Sequence, residues 1–97
     1  MTNTDWKRPN VSRDALYLFT WLDRRGGSVR IRPLLRWSGL SCDELCNAGN
    51  ELQERGWIRV TWRRSPRPDL PERVRRVDRL TTTHQGRLFA PRLVLVA

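Results

Sequence analysis

Ninety-seven residues, with 19 Lys and Arg against 10 Asp and Glu, give a net charge of +9 in a chain long enough for one domain with about two-thirds of its surface buried. That surplus points to a polyanionic partner, nucleic acid before any other, because a cationic surface releases condensed counterions on binding. No apolar run approaches the ~20 residues of a membrane span and the start MTNTDWKRPN is too polar for a signal peptide, so a cytoplasmic chain with both cysteines reduced is expected. Lys7 is the single lysine, and the other eighteen basic residues are arginines. Genomic base composition could explain Arg in place of Lys, but not the excess of positive charge.

Residues 1–11 show no periodicity and carry Trp6, Lys7, Arg8 and Pro9. They read as an arm that rests on the body through Trp6, reaches along a nucleic acid, or exchanges with a second subunit. A first helix is expected from Ser12 or Arg13 to Arg25. Ala15, Leu18, Phe19 and Leu22 form its core stripe, and Tyr17 and Trp21 form a second stripe at i, i+4 that suits core or subunit interface. Gly26-Gly27 stops it, and Ser28-Val29-Arg30-Ile31 alternates as a short strand. Pro33 fits the first turn of a second helix that carries Leu34 and Leu35 inward, with Trp37 on its other side.

From Leu34 to Ile58 the pattern is two short helices and a tight turn. Gly39 in Ser38-Gly39-Leu40 permits the positive φ of a sharp helix-to-helix turn. Ser41-Cys42-Asp43-Glu44 is a capping box for the next helix. Leu45, Ala48 and Leu52 give that helix one apolar stripe, Gly56 ends it, and Trp57-Ile58 leads into a strand. This is a helix-turn-helix. Its second helix, 42–55, presents outward Cys42, Asp43, Glu44, Cys46, Asn47 and Asn50, with Ser41 at its start.

Ile58, Val60 and Trp62 alternate with Arg59, Thr61 and Arg63, the pattern of a half-buried strand. Pro66, Pro68 and Pro71 remove ladder donors, so 65–71 is expected as a loop tip. Val74, Val77 and Leu80 belong to the returning strand, and Val74-Arg75-Arg76-Val77 breaks alternation as a bulge or register shift would. Residues 59–79 hold eight arginines (Arg59, Arg63, Arg64, Arg67, Arg73, Arg75, Arg76, Arg79) against Asp69, Glu72 and Asp78, eight minus three or +5. The hairpin reads as a flexible cationic wing. Thr82-Thr83-His84-Gln85 is a second capping box, opening a short helix through Phe89 that Pro91 ends. Residues 92–97, apolar after Arg92, suit a further strand or a pairing edge for another subunit.

In this order the elements resemble a winged helix-turn-helix domain, closest to MarR-type transcription regulators, over roughly Ser12 to Phe89. Gly39-Leu40-Ser41 is similar to that family's turn, Leu52-Gln53-Glu54-Arg55-Gly56-Trp57-Ile58 to its helix end and first wing strand, and Leu80-Thr81-Thr82-Thr83-His84-Gln85-Gly86-Arg87 to its Leu-Thr-x-x-Gly segment after the wing. The resemblance implies duplex DNA binding, with the motif's second helix in the major groove and the wing on backbone or minor groove.

The chain departs from that pattern in one respect. Residues 41–55 carry Asp43, Glu44, Glu51 and Glu54 against Arg55, one minus four or −3, and acids at the leading end of a groove helix meet phosphates of like charge. Acids there do stabilise the helix dipole, by ~0.3–1 kcal/mol each. Asp or Glu can also accept from cytosine N4, and Asn47 and Asn50 can read adenine. On this reading the wing arginines and Arg30, Arg32 and Arg36 supply phosphate contacts while Ser41, Cys42, Asp43, Glu44, Cys46, Asn47 and Asn50 supply selectivity. The alternative is a winged-helix interaction module whose acidic helix docks a basic protein.

Cys42 and Cys46 stand at i, i+4, with Cβ atoms ~5–6 Å apart in a regular helix, beyond the ~3.5–4.5 Å of a disulfide. Cys42, near a helix N-terminus, has the position of a redox-sensing thiol, and plain semi-buried thiols are the other reading. His84 is the only histidine, and it lies on a distant helix, so no metal site is expected. No Ser/His/Asp set, carboxylate pair or Gly-rich phosphate loop is present, so neither catalysis nor a cofactor is expected. The expectation is an α+β winged helix-turn-helix: a three-helix core with a β-hairpin wing and a short C-terminal helix or strand. Residues 1–11 are the arm, 12–90 the domain and 91–97 the apolar tail. It binds double-stranded DNA as a small regulator, monomeric or homodimeric through the arm, helix 1 or the C-terminal edge.

Overall fold

Ser12 opens the first helix, α1 (Arg13–Arg24), its hydroxyl accepting from the Ala15 N–H at 3.2 Å. Its other end closes as a Schellman motif: Gly27 N–H reaches Leu22 C=O at 2.9 Å across Gly26, whose φ is 90°. The computed structural model describes residues 11–91, so the expected arm, save Val11, and the strand expected at 92–97 lie outside the described residues. β1 (Ser28–Arg30), α2 (Ile31–Trp37), α3 (Cys42–Glu54), β2 (Ile58–Trp62), β3 (Val77–Thr82) and α4 (His84–Phe89) follow, with a 3-10 turn at Glu72–Val74. The sheet is antiparallel, in the order β1-β3-β2.

Three helices close over one face of that sheet. Register aligns Val29, Leu80 and Val60 in one row, facing the helices, and Ile58 with Thr82 in another. Leu18, Phe19, Leu22, Leu34 and Leu52 are fully buried between the layers, and the Phe19 ring meets the Trp57 ring edge-on with centroids 6.4 Å apart. By strand alternation Ser28, Arg30, Arg59, Thr61, Arg79 and Thr81 stand on the opposite face, away from the helices.

The turn between α2 and α3 forms as expected. Gly39 has φ 83°, and the Tyr17 hydroxyl donates to the Ser38 C=O just before it. Trp21 is buried, with the Arg25 guanidinium 4.3 Å from its ring centre, so the second stripe of α1 is used within the chain. The capping box of α3 is complete: Ser41 Oγ accepts from Glu44 N–H at 3.1 Å and Glu44 Oε1 accepts from Ser41 N–H at 2.8 Å. Ser41→Ala should therefore cost ~1 kcal/mol in urea unfolding, while Glu44→Gln, which keeps an acceptor at the same reach, should cost less. At the other end Gly56, φ 74°, lets Trp57 N–H reach Leu52 C=O at 3.0 Å.

Three expectations shift. The strand expected over 28–31 ends at Arg30 and Ile31 opens the second helix; Pro33 lies in its first turn as expected, as the third residue, where the missing N–H has no helical acceptor to lose. The last helix is capped by Thr83 rather than Thr82. Thr83 Oγ1 accepts from Gly86 N–H at 3.0 Å and donates to Gly56 C=O at 2.6 Å, while Thr82 stays in the sheet with its N–H on Gly27 C=O at 2.7 Å. Gln85 closes no box; its Nε2 donates to Arg55 C=O at 3.3 Å. The returning strand begins at Val77, because Val74 is drawn into the core by the 3-10 turn.

Candidate nucleic-acid interface

On α3 the side chains of Asp43, Glu44, Asn47 and Asn50 are exposed, as is Ser41 before it. Cys42 and Cys46 are not outward as expected. Both are half-buried and packed against the core, since they share the side of α3 on which the wing lies. Burial, then the neighbouring Cys42 thiol, pushes the Cys46 thiol above its ordinary pKa even against the nearby Arg73 guanidinium. A thiol held protonated is a poor nucleophile towards oxidants, so Cys46 is poorly suited to redox sensing.

The wing is an anchored loop rather than a free hairpin. Pairing slips between Thr61, opposite Arg79, and Trp62, opposite Val77, leaving Asp78 as the extra residue. The expected irregularity is present, a residue beyond Val77. Past the strands, Arg63 N–H bonds to Arg76 C=O at 2.6 Å and Arg67 N–H to Arg75 C=O at 2.8 Å. The chain then turns back towards α2 and α3, burying Leu70 and Val74. Arg63, Arg64, Ser65 and Pro66 form the exposed end.

Ion pairs tie this loop down. Arg73 Nη1 lies 2.8 Å from Asp43 Oδ1, an attachment of wing to α3 that holds the Arg73 pKa above its ordinary value. Arg32 of α2 and Arg67 of the wing share Asp69. Desolvation raises the Asp69 pKa, but its own backbone N–H and the Arg67 and Arg32 guanidiniums outweigh that and hold it below the usual carboxylate range. Arg63 meets Asp78 at 3.5 Å. Such exposed pairs stabilise weakly, and their main effect is to orient the loop.

The remaining wing arginines keep their charge. Arg75 Nε donates to Leu70 C=O at 3.0 Å and Arg76 Nη1 to Arg64 C=O at 2.8 Å; a carbonyl aims a guanidinium without neutralising it. Among the described residues Arg59, Arg64, Arg75 and Arg76 have no ion pair. Arg36, exposed, has its guanidinium 6.0 Å from the Trp37 ring centre.

The expected site is thus brought together in part. Arg32, Arg36 and Arg73 border the N-terminal end of α3, Arg67 reaches Asp69 beside them, and Arg64 and Arg76 stand at the wing's exposed end. Arg30 and Arg59 are on the outer face of the sheet, away from α3. Two features were missed. Trp62 is 60 % exposed at the end of its strand, where the slip in register ends regular pairing, and Asp69 is an ion-pair hub between α2 and the wing. Trp62, Asn50, Gln53, Cys46 and Arg73 rim a cleft of about 120 Å³ between α3 and the wing. No group of three or more His, Cys, Asp or Glu able to hold a metal occurs among the described residues.

No family model matches the sequence, and no curated protein matches it. Among solved structures the fold matches that of the YusO protein from Bacillus subtilis, with a TM-score of 0.61 at 17% identity. The match covers 87% of this chain and 53% of that one, so this chain spans about half the length of that structure. At that identity the likeness is one of fold alone, an α+β winged helix. No helix among the described residues is long and apolar enough to cross a membrane.

Proposed function

We propose that this chain is a double-stranded DNA-binding protein acting as a small cytoplasmic transcriptional regulator, with α3 in the major groove and the wing on the flanking backbone. The observation that carries this reading is the pairing of an exposed α3 face, Asn47 and Asn50, with a wing whose Arg75 and Arg76 are oriented but not neutralised and whose Arg64 side chain is exposed. Asparagine offers the bidentate donor and acceptor that adenine's N6 and N7 require. Arginine supplies the phosphate contacts that position such a helix.

The acids of α3 favour DNA over a basic protein partner. Glu44 is committed to its own helix cap, Asp43 to Arg73, and Glu51 accepts from the Ser12 N–H at 2.6 Å. Each carboxylate is thereby partly answered from within the fold, which lowers both its repulsion of phosphate and its attraction for an outside cation. A palindromic operator calls for two copies. For that pairing we propose the C-terminal side, where Leu88 and Phe89, 63% and 65% exposed, lead towards the apolar segment 92–97.

Fluorescence anisotropy with a 20-base-pair duplex between 50 and 200 mM salt tests the reading. Five to six phosphate contacts predict a plot of log affinity against log salt with a slope of roughly −4.5 to −5.4. A flat plot with negligible binding at physiological salt would instead favour the docking module.

A further inference from the structure

We propose that Cys42 and Cys46 form a two-coordinate site for Cu(I) at the joint between α3 and the wing. Both are free thiols, one helical turn apart on a regular helix. Both are half-buried beside the wing. Cys46 rims the cleft that Val74 and Arg73 line, and Cys42 lines the groove next to it with Leu70, Pro71 and Arg36.

The spacing selects the chemistry. Cβ atoms ~5–6 Å apart are too far for a disulfide, which needs ~3.5–4.5 Å. Two metal–sulfur bonds laid end to end, each about the ~2.3 Å of a zinc thiolate, separate the sulfurs by roughly 4.6 Å, which this spacing accommodates without unwinding the helix. The donor count selects the ion. Zinc and iron–sulfur clusters take four donors, and among the described residues no third His, Cys, Asp or Glu joins the pair. A soft monovalent ion satisfied by two thiolates is what remains, and thiolate donors prefer Cu(I).

On binding, each thiol releases its proton to solvent and each sulfur forms one bond to copper: Cu(I) plus two S–H becomes an S–Cu–S anion of charge −1 plus two H⁺, with no change of oxidation state. Arg73, on the same cleft as Cys46, provides the compensating positive charge, with Asp43 as its present partner.

The test is anaerobic titration of the protein with Cu(I) against a chromophoric Cu(I) chelator, followed by X-ray absorption at the copper edge. One ion per chain with two sulfur neighbours is expected. Cys42→Ser and Cys46→Ser should each lower affinity by more than about a hundredfold, the loss already seen when only a ligand's supporting partner is removed. Circular dichroism of both variants, expected to match the unsubstituted protein, separates loss of ligand from loss of fold. Loss of all copper to the chelator, three or more sulfur neighbours, one ion per two chains, or a folded serine variant that binds as tightly as the original would overturn the proposal. None of these outcomes depends on DNA.

Discussion

Gly86→Ala should unfold this domain at a markedly lower temperature than any other single-methyl addition at a described glycine. A Cβ at Gly86 would stand 2.4 Å from the Trp57 carbonyl oxygen and 2.7 Å from a Phe19 ring carbon. Neither can yield cheaply. The oxygen already accepts the Thr83 N–H at 2.9 Å, and Phe19 is fully buried at the centre of the core. Overpacking of this kind costs ~1–3 kcal/mol and more against rigid backbone, so a loss of about 3 kcal/mol is expected, or roughly 12–24 °C in melting temperature for a domain of this size. Gly26→Ala is the control. Gly26 has φ 90° and open space around it, so only the left-handed backbone penalises a side chain there, by ~1 kcal/mol. Melting of Gly86→Ala within a few degrees of the unsubstituted protein would mean that α4 does not sit against Trp57 as described.

The second large effect belongs to the wing. Replacing Arg64 and Arg76 together by Gln should weaken duplex DNA binding about 60-fold at 0.1 M salt, because each lost phosphate contact removes a factor of ~8 there and flattens the salt slope by ~0.9. Both side chains are exposed at the wing's outer end and neither is in an ion pair among the described residues, so the fold should survive the change. The comparison is Arg30→Gln with Arg59→Gln, which removes the same charge from the outer face of the sheet. That pair should change affinity less than about threefold, since distant exposed charges are screened beyond ~10 Å at this salt. The reverse ranking would move the DNA surface to the sheet.

How much of this was legible in the sequence follows from the range of the interactions involved. The Ser41–Glu44 box, the Gly39 turn and the Gly56 helix end are local rules, complete within a few residues, and each formed where the sequence placed it. The cap of α4 was misplaced by one residue because adjacent threonines offer the same hydroxyl. Only the pairing of Thr82 with Gly27, 55 residues away, decides between them. The wing was harder still. Leu70 lies among prolines that read as a loop tip and Val74 in a run that read as returning strand, and it is their packing towards α2 and α3 that folds the loop back.

The same limit applied to the candidate interface. Counting arginines located the cationic device but not its faces. Arg59 and Arg73 lie on one hairpin, yet the alternation of β2 sends the first to the outer face while the 3-10 turn brings the second to Asp43. The acidity of α3, which in sequence argues against DNA, loses much of its force once Asp43, Glu44 and Glu51 are seen to serve Arg73, the helix cap and the Ser12 N–H.

The central claim is that α3 and the wing meet duplex DNA as one surface. Chemical-shift mapping of the isotopically labelled protein on addition of a duplex tests it most directly, through the backbone amides, the Asn47 and Asn50 side-chain amides and the arginine Nε signals. The largest shifts should fall in residues 41–50 and 63–76, with Ser28, Arg30, Arg59 and Thr81 unmoved. Shifts gathered on the outer sheet or on α1 and α4, with α3 silent, would contradict it.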